Sequence, residues 1–164
     1  FAGVSLLRRF TVESILATAV LLLDWLSKEW AKTNLPFGVS QVVLPGILHL
    51  HYTQNTGAAF SILTGQRWLL SFLAATAALL LYLFRHRITE GKKILRLALG
   101  LILGGTLGNL IDRLCYGYVI DFLEFGFIRF PVFNLADTAL TLGVSLMFLQ
   151  LLLEWRKEIQ HDKS

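Results

Sequence analysis

Two aspartates, Asp121 and Asp137, lie in apolar surroundings in a chain that is otherwise poor in charge. Asp121 belongs to the run Tyr118-Val-Ile-Asp-Phe122, and Asp137 ends the run Phe133-Asn-Leu-Ala-Asp137. A carboxylate buried in such a run needs a partner or a proton. Two carboxylates that share one proton titrate apart, so that one acts as a base toward water and the other as an acid toward a leaving group. The pair therefore predicts hydrolysis of a peptide bond without a metal or cofactor.

The segment that ends at Asp137 also fits a simpler interpretation. Asn134 is a good N-cap residue, and an acid three residues later is favoured by the dipole at a helix start. A capped helix start explains Asn134 and Asp137. It gives no reason for Asp121, which occupies a run that would otherwise form a buried strand, so a second carboxylate is a candidate partner for it.

Further polar residues occur near predicted helix ends. Asp24 and Lys28 are four residues apart and share one helix face, where they predict either an ion pair that orients the helix end or support for a site. Asn109, Asp112 and Arg113 bring an amide, an acid and a guanidinium within about one helical turn. Arg113 is expected to pair with Asp112 or to meet a phosphate or a peptide carbonyl.

A stripe of small residues runs along the same predicted helix. Gly100, Gly104 and Gly108 follow at intervals of four, and Asp112 is next on the stripe. Small residues at this spacing allow another helix to approach closely. We therefore expect the glycines to serve helix packing rather than chemistry.

The sequence lacks the motifs of other common catalytic chemistries. The chain has no His-Glu-x-x-His and no Gly-x-Ser-x-Gly motif, and its Gly-rich segment lacks the Lys-Ser/Thr ending of a phosphate loop. His49 and His51 are candidates to hold a metal, but no Cys or acid follows at ligand spacing. The single Cys115 is expected to be a small buried hydrophobe. We expect neither a metal nor a cofactor.

The composition is typical of an integral membrane protein. The 164 residues are 55% hydrophobic and only 16% charged. Four apolar stretches, each long enough to span a bilayer once its polar flanks are counted, lie at about 12–30, 68–84, 97–111 and 138–153. The first contains Asp24 and lacks a cleavage site, so we expect it to be retained. We predict a single domain over residues 1–164, and because the chain opens with Phe1 we expect the true N-terminus to lie upstream.

The basic residues predict the orientation. Ten of the 15 Lys and Arg residues lie before span one, between spans two and three, or after span four. The positive-inside rule then places both termini in the cytoplasm. The same clustering at the ends of apolar segments explains the net charge of +4 without nucleic-acid binding.

Two connections, at about 31–66 and 114–132, should then lie on the outer side. Ile47-Leu-His-Leu-His-Tyr52 alternates as a strand, with Leu48, Leu50 and Tyr52 on one face. Asn55-Thr-Gly57 predicts a turn, and residues 58–63 a short interfacial helix. All the polar groups described above, from Asp24 to Asp137, fall at this outer side. Their convergence at one depth predicts a single site that faces the exterior.

Five blocks together resemble the lipoprotein signal peptidase (signal peptidase II) family. In chain order these are Asp24-Trp-Leu-Ser-Lys28, Asn55-Thr-Gly-Ala-Ala-Phe60, Gly104-Gly-Thr-Leu-Gly-Asn-Leu-Ile-Asp-Arg113, Gly117-Tyr-Val-Ile-Asp-Phe122 and Phe133-Asn-Leu-Ala-Asp137. The resemblance implies a bacterial inner-membrane aspartyl endopeptidase that removes signal peptides from prolipoproteins, cutting just before the diacylglyceryl-modified cysteine. It implies a fold of four transmembrane helices with a small extracytoplasmic β-cradle and a short interfacial helix.

The resemblance also implies roles for individual residues. Asp121 and Asp137 match the family's catalytic pair. Asp112 is expected to be structural and paired with Arg113, and Gly104 and Gly108 are structural as well. The residues implied to line or support the substrate pocket, which the inhibitor globomycin also occupies, are Asp24, Lys28, Asn55, Gly57, Asn109, Arg113, Asn134 and Ala136. The partners implied are prolipoproteins, membrane lipids and globomycin-type inhibitors, with no nucleic acid.

Two other classes of protein deserve comparison. A small transporter or proton-coupled carrier would use intramembrane acids as an ion path, and it predicts polar residues at mid-membrane or on both faces. Residues 68–84, however, contain no charge. A non-catalytic assembly protein would use the glycine stripe to bind partner helices. That alternative gives no reason for two acids near one depth.

Overall fold

The structure is a computed structural model that describes residues 11–57, 62–90 and 92–161. The elements in the described residues are helices and three short strands. In chain order they are α1 (Val12–Asn34), β1 (Ser40–Leu44), β2 (Leu48–Asn55), α2 (Arg67–Leu83), α3 (Arg85–Thr89), α4 (Lys93–Cys115), β3 (Val119–Phe125) and α5 (Leu135–His161).

The four long helices correspond to the four predicted apolar stretches; three extend beyond the predicted limits, and α2 ends one residue before position 84. Apolar content locates the middle of a helix, whereas polar flanking residues continue its hydrogen bonding. Two of the described helices are long and apolar enough to cross a membrane, α4 and the segment Leu135–Gln160 of α5. Helix α1 has 23 residues but carries five charged side chains, and α2 has 17 residues. Four spans therefore remain a prediction.

Helix α4 lies at the centre of the helical part and packs against α1, α2 and α5. Its small residues make this possible. A Cβ on Gly104 would lie 2.7 Å from Cβ of Val20 on α1, and one on Gly105 would meet the carbonyl oxygen of Ala136 on α5. Because other helices approach α4 closely on two sides, 61% of its apolar stretch is buried. The corresponding share for α5 is 17%.

A three-stranded antiparallel sheet in the order β1-β2-β3 stands beside the helices. The predicted strand at 47–52 corresponds to β2. Tyr52 of β2 belongs to a buried apolar cluster, and Leu50 packs against that cluster. That cluster joins the sheet to the end of α1 through Ala31, Ile120 and Phe122. The sheet thereby holds β3, and Asp121 on it, above the helices.

Some expectations need correction or lie outside the described part of the chain. Cys115 is exposed at the last residue of α4 instead of buried. Residues 58–61, which make up most of the predicted interfacial helix, lie outside the described residues, and 62–65 form a turn. Strand β1 and helix α3 were not identified from sequence. All five residues of β1 are exposed, so it has no apolar alternation to reveal it.

Candidate active site

Asp121 and Asp137 meet at Asn134. The side-chain Nδ2 of Asn134 donates to Oδ1 of Asp121 at 2.8 Å, and its backbone N–H donates to Oδ2 of Asp137 at 3.2 Å. Asn134 itself is fully buried. One amide residue thus links a carboxylate on the sheet to a carboxylate on a helix.

Backbone pairing between β3 and the segment before α5 brings the two aspartates together. Leu123 and Phe133 form an isolated antiparallel bridge, and the N–H of Phe122 also donates to the carbonyl of Phe133 at 3.0 Å. Asn134 follows directly and caps α5, because its Oδ1 accepts the N–H of Asp137 at 2.8 Å. Together with the reverse bond from the N–H of Asn134, this is a reciprocal capping arrangement. The predicted helix cap and the meeting of the aspartates therefore occur at the same residues.

Each carboxylate has a second amide partner from another element. Nδ2 of Asn55, at the end of β2, donates to Oδ2 of Asp121 at 3.0 Å. Nδ2 of Asn109 on α4 donates to Oδ1 of Asp137 at 2.7 Å. Oδ1 of Asn109 in turn accepts from Nδ2 of Asn134 at 3.1 Å. Three asparagines thus fix both carboxyl groups from three sides.

The environment of Asp121 favours its protonated form. Burial on β3 raises the pKa of Asp121 from 3.8 to about 7, and the negative charge of Asp137 acts in the same direction. Hydrogen bonds from Asn55 and Asn134 and the charge of Lys28 oppose this rise in pKa only in part. A carboxyl group that holds its proton near neutral pH beside a second carboxyl group is suited to acid and base chemistry.

Arg113 holds the loop that follows β2. Its Nη2 donates to the carbonyl oxygen of Gly57 at 2.9 Å, and the N–H of Gly57 donates to Oδ1 of Asn55 at 2.9 Å. The predicted contact of Arg113 with a peptide carbonyl is therefore present. The predicted pairing of Arg113 with Asp112 was wrong, because Asp112 forms its ion pair with Lys28 at 2.8 Å. Consecutive helix residues point in different directions, and Asp112 faces α1.

Lys28 and Asp24 form the ion pair that their spacing predicted, at 2.6 Å. Both side chains are buried, and Oδ1 of Asp24 accepts the N–H of Ala136 at 2.8 Å. Gly108 makes room for this pair, since a Cβ there would lie 2.5 Å from Oδ2 of Asp24. Ala136 directly precedes Asp137, so Asp24 holds the backbone one residue before that aspartate.

A cavity of about 440 Å³ opens in front of the aspartates. Its polar wall contains five of the residues singled out from sequence, Asn55, Asn109, Arg113, Asp121 and Asp137. Its apolar wall comes from Phe125, from 130–133 and from α5 residues such as Leu140 and Leu142. The rings of Phe125 and Phe133 lie 4.8 Å apart, and those of Phe125 and Phe130 5.6 Å apart.

Sequence reasoning did not assign this aromatic wall. The available signal was the density of phenylalanines, five of them between 122 and 133. The wall gives the cavity one polar and one apolar side. Such a cavity is suited to a ligand that has both polar and apolar parts.

His49 and His51 lie away from this cavity. Both face Glu124 of the neighbouring strand, with Nδ1 to carboxylate oxygen distances of 3.7 and 3.5 Å. The sequence shows no acid at ligand spacing after these histidines. In the structure, Glu124 of β3 is the acid beside them. Within the described ranges, no group of three or more His, Cys, Asp and Glu side chains has the geometry of a metal site.

Comparison with known proteins identifies the family. A family model described as Signal peptidase (SPase) II matches residues 16–153. A lipoprotein signal peptidase of Latilactobacillus sakei is 43% identical over 149 residues, which cover 90% of this chain and 97% of that protein. One of Lactobacillus johnsonii is 41% identical over 140 residues, covering 84% and 90%.

Solved structures agree with this assignment. A bacterial membrane enzyme determined by the in meso method at 2.3 Å resolution has a TM-score of 0.83 and 31% sequence identity, covering 87% of this chain and 88% of that one. A second, at 1.9 Å resolution, has a TM-score of 0.79 and 32% identity, covering 85% and 92%. The sequence match extends over most of the chain, and the fold match is equally broad. This chain belongs to the signal peptidase II family.

Proposed function

We propose that this chain is an aspartic endopeptidase that removes signal peptides from diacylglyceryl-modified prolipoproteins, cutting just before the lipidated cysteine. The observation that carries the proposal is the pair of buried carboxyl groups, Asp121 and Asp137, joined through Asn134 at a cavity with one polar and one apolar wall. Membership of a peptidase family supports the reaction class.

The pair supplies both proton transfers that hydrolysis needs. One carboxylate takes a proton from water, and the water oxygen attacks the carbonyl carbon of the scissile peptide bond. The protonated carboxyl group then donates to the nitrogen of the leaving amine, which becomes the amino group of the new N-terminal cysteine. Because Asp121 and Asp137 are coupled, the pH dependence belongs to the pair and not to either residue.

The cavity walls suit a lipidated peptide. Asn55 and Arg113 present hydrogen-bonding groups next to the aspartates, where the peptide backbone would lie. The phenylalanines and leucines opposite would hold the diacylglyceryl chains, and membrane lipids would occupy the same wall between turnovers. Globomycin-type inhibitors are expected to occupy this cavity as well.

The proposed placement is multi-pass in the bacterial cytoplasmic (inner) membrane, as one domain whose four long helices all span the bilayer. Both termini would be cytoplasmic and the active site would lie at the outer face. The distribution of Lys and Arg supports this orientation. The end of α4, the start of α5 and the sheet all come together at the site, which supports its position at one end of the helices.

The alternative functions account for less of this geometry. A carrier would need polar groups along a path through the helices, but the hydrogen-bonded asparagines and aspartates gather at the end where α4 meets the sheet. An assembly protein would need α4 glycines that are free to receive a partner. Gly100 and Gly104 are instead covered by α1 of the same chain, and Gly105 is covered by α5.

The experiment is cleavage of one prolipoprotein in two forms by the purified, lipid-reconstituted protein. The precursor is offered with and without its diacylglyceryl group, and the products are identified by mass spectrometry. We expect cleavage of the modified form only, with the lipidated cysteine as the new N-terminus. Equal cleavage of both forms would refute the proposed substrate. No cleavage of either form would refute the proposed activity.

A further inference from the structure

Behind the aspartates lies a buried ionic group made of Lys28, Asp24 and Asp112. The Nζ of Lys28 is 2.6 Å from Oδ2 of Asp24 and 2.8 Å from Oδ2 of Asp112. Lys28 is 1% exposed, and none of the three residues lines the cavity. Burying a lysine and two carboxylates costs desolvation free energy, which further hydrogen bonds to these groups can offset.

Each of the two carboxylates also accepts one backbone N–H, and the two N–H groups occupy equivalent positions. Oδ1 of Asp24 accepts the N–H of Ala136 at 2.8 Å. Oδ2 of Asp112 accepts the N–H of Ile120 at 3.1 Å. Ala136 directly precedes Asp137 and Ile120 directly precedes Asp121. The ionic group therefore holds the chain one residue before each member of the aspartate pair.

Lys28 also reaches the pair through a side chain. Its Nζ donates to Oδ1 of Asn109 at 3.1 Å, and Nδ2 of Asn109 donates to Oδ1 of Asp137 at 2.7 Å. An ammonium group can only donate hydrogen bonds, so it fixes the carbonyl end of the Asn109 amide toward itself. The NH₂ end must then point to Asp137.

We propose that Lys28, Asp24 and Asp112 form a positioning clamp that sets the distance and orientation of Asp121 relative to Asp137. The clamp joins three helices and one strand at a single ammonium group, because Asp24 and Lys28 lie on α1, Asp112 on α4, and the two held N–H groups on α5 and β3. Its members are positioning residues, since none of them faces the cavity. The inference rests on the proposed function, because the clamp acts on the pair that carries out that reaction.

The arrangement explains why a charged group is used. A neutral acceptor would satisfy each N–H, but two carboxylates give stronger bonds than neutral oxygens do. Two buried carboxylates would repel each other without a cation between them. Lys28 removes this repulsion and ties their positions together.

The sharpest test compares two substitutions at one position. Asp112→Asn keeps a side-chain oxygen that can accept the N–H of Ile120, whereas Asp112→Ala keeps none. With the reconstituted enzyme and the diacylglyceryl-modified prolipoprotein, we expect Asp112→Ala to lower kcat by about 10- to 100-fold with KM nearly unchanged, since small misplacements of reacting groups have effects of this size. Asp112→Asn should recover most of the lost kcat.

The role of the ammonium group needs its own variants. Lys28→Met leaves two buried carboxylates without a cation, and the double variant Lys28→Met/Asp112→Asn restores the net charge of the cluster. Lys32→Met is the matched control, because Lys32 lies one turn further along α1 and its partners, Glu29 and Tyr116, are not buried. Thermal unfolding of every variant is measured, and kcat is expressed per folded molecule. We expect a loss of kcat in Lys28→Met, partial recovery in the double variant, and a wild-type rate in the control.

The outcomes separate this inference from the proposed function. If Asp121→Asn abolishes cleavage while folded Asp112→Ala and folded Lys28→Met/Asp112→Asn both keep wild-type kcat, the clamp is wrong and the proposed function stands. If Asp121→Asn itself cleaves normally, the proposed function is wrong. A purely structural role predicts lower unfolding temperatures with no change in kcat per folded molecule, and that result would also overturn the clamp.

Discussion

At the scale of single residues, the unusual property of Asp121 is that it keeps a proton near neutral pH. Its folded-state pKa of about 7 lies above the ordinary value of 3.8, first because the carboxyl group is buried and second because Asp137 is close. Below pH 7 the pair therefore holds at least one proton, and above pH 7 that proton is progressively lost. Loss of the proton removes the group that donates to the leaving nitrogen.

This predicts the alkaline side of the pH profile. The value of kcat/KM for the lipidated precursor should fall as pH rises through about 7, since that ratio reports ionisation of the free enzyme. Asn55→Ala should move the fall to higher pH, because the hydrogen bond from Asn55 lowers the pKa of Asp121. The measurement is an initial-rate profile across the neutral range for both proteins. A wild-type profile that rises steadily through this range would contradict the assignment.

Asn134 has two separable roles, so its substitutions should have separable effects. Asn134→Ser keeps an oxygen that can cap α5 but loses the NH₂ group that donates to Asp121, and Asn134→Ala loses both groups. We expect Asn134→Ser to keep the stability of the helix start. We expect Asn134→Ala to lower the free energy of unfolding by about 1 kcal/mol. Both should lower kcat by at least tenfold, a loss of about 1.4 kcal/mol of transition-state stabilisation.

Thermal unfolding and steady-state kinetics on the two variants check this expectation. If Asn134→Ser is fully active, the cap is the whole role of Asn134 and the interpretation as a simple helix start is sufficient. The sequence alone left these two interpretations open. The structure shows why, since the same side chain caps α5 and donates to Asp121.

The sequence predicted residue pairs well when the partners share a helix face and poorly when they do not. Asp24 and Lys28 are four residues apart, and their ion pair follows from helix geometry. The partner of Asp112 is Lys28, which is 84 residues away in the chain. Helix spacing carries no information about such a contact, so Arg113, the nearest cation in sequence, was the wrong choice.

At the scale of elements, the position of α4 depends on residues without side chains. Gly100, Gly104 and Gly108 face α1, and Gly105 faces α5. These contacts set how closely Asn109 and Asp112, at the end of α4, approach the groups that they hold. Helix packing and site geometry are therefore linked through one helix.

Gly104→Ala should destabilise the protein. The new Cβ would lie 2.7 Å from Cβ of Val20 and 2.8 Å from the carbonyl oxygen of Ala17, so α1 and α4 must move apart. Overpacking of this kind costs about 1–3 kcal/mol, which exceeds the gain of about 1 kcal/mol from better helix propensity. Thermal unfolding is the measurement, with Leu97→Ala at an exposed position of the same helix as control. An unfolding temperature at or above that of the wild type would show that the helices are not in close contact at Gly104.

Apolar content located each long helix, but element ends and exposed strands were less accessible to sequence reasoning. Helix α4 begins at Lys93 and ends at Cys115, beyond the predicted limits of 97 and 111, because polar residues continue both ends. Strand β2 was predicted because Leu50 and Tyr52 alternate with polar residues. Strand β1 was not predicted, because it is defined by hydrogen bonding to β2 and not by burial.

At the scale of the whole molecule, chain order and charge bias predict that the polar groups lie on one side of a membrane. The structure brings residues from β2, α4, β3 and α5 together at one cavity, and Lys28 of α1 donates to Asn109 in the wall of that cavity. The arrangement in three dimensions was not accessible from sequence, since it depends on the pairing of β3 with the segment before α5. The apolar wall at Phe125 and Phe133 arises from that same pairing.

The proposed orientation predicts which residues a membrane-impermeant thiol reagent can reach. Cys115 is exposed at the end of α4 next to the site, so it should be labelled from the outer side of intact spheroplasts. In the matched variant Cys115→Ser/Glu90→Cys, the single thiol lies between α3 and α4 and should be labelled only after the membrane is opened. Labelling of the Glu90→Cys thiol in intact spheroplasts would reverse the orientation.

The most direct test of the aspartic mechanism is cleavage by variants that replace each carboxyl group with an amide of the same shape. Asp121→Asn and Asp137→Asn are reconstituted with the diacylglyceryl-modified prolipoprotein, beside the wild type and Glu29→Gln, a matched control at a carboxylate that pairs with Lys32 away from the cavity. We expect both aspartate variants to fold but to release no detectable signal peptide, while the control cleaves at the wild-type rate. Cleavage near the wild-type rate by either folded aspartate variant would contradict the aspartic mechanism.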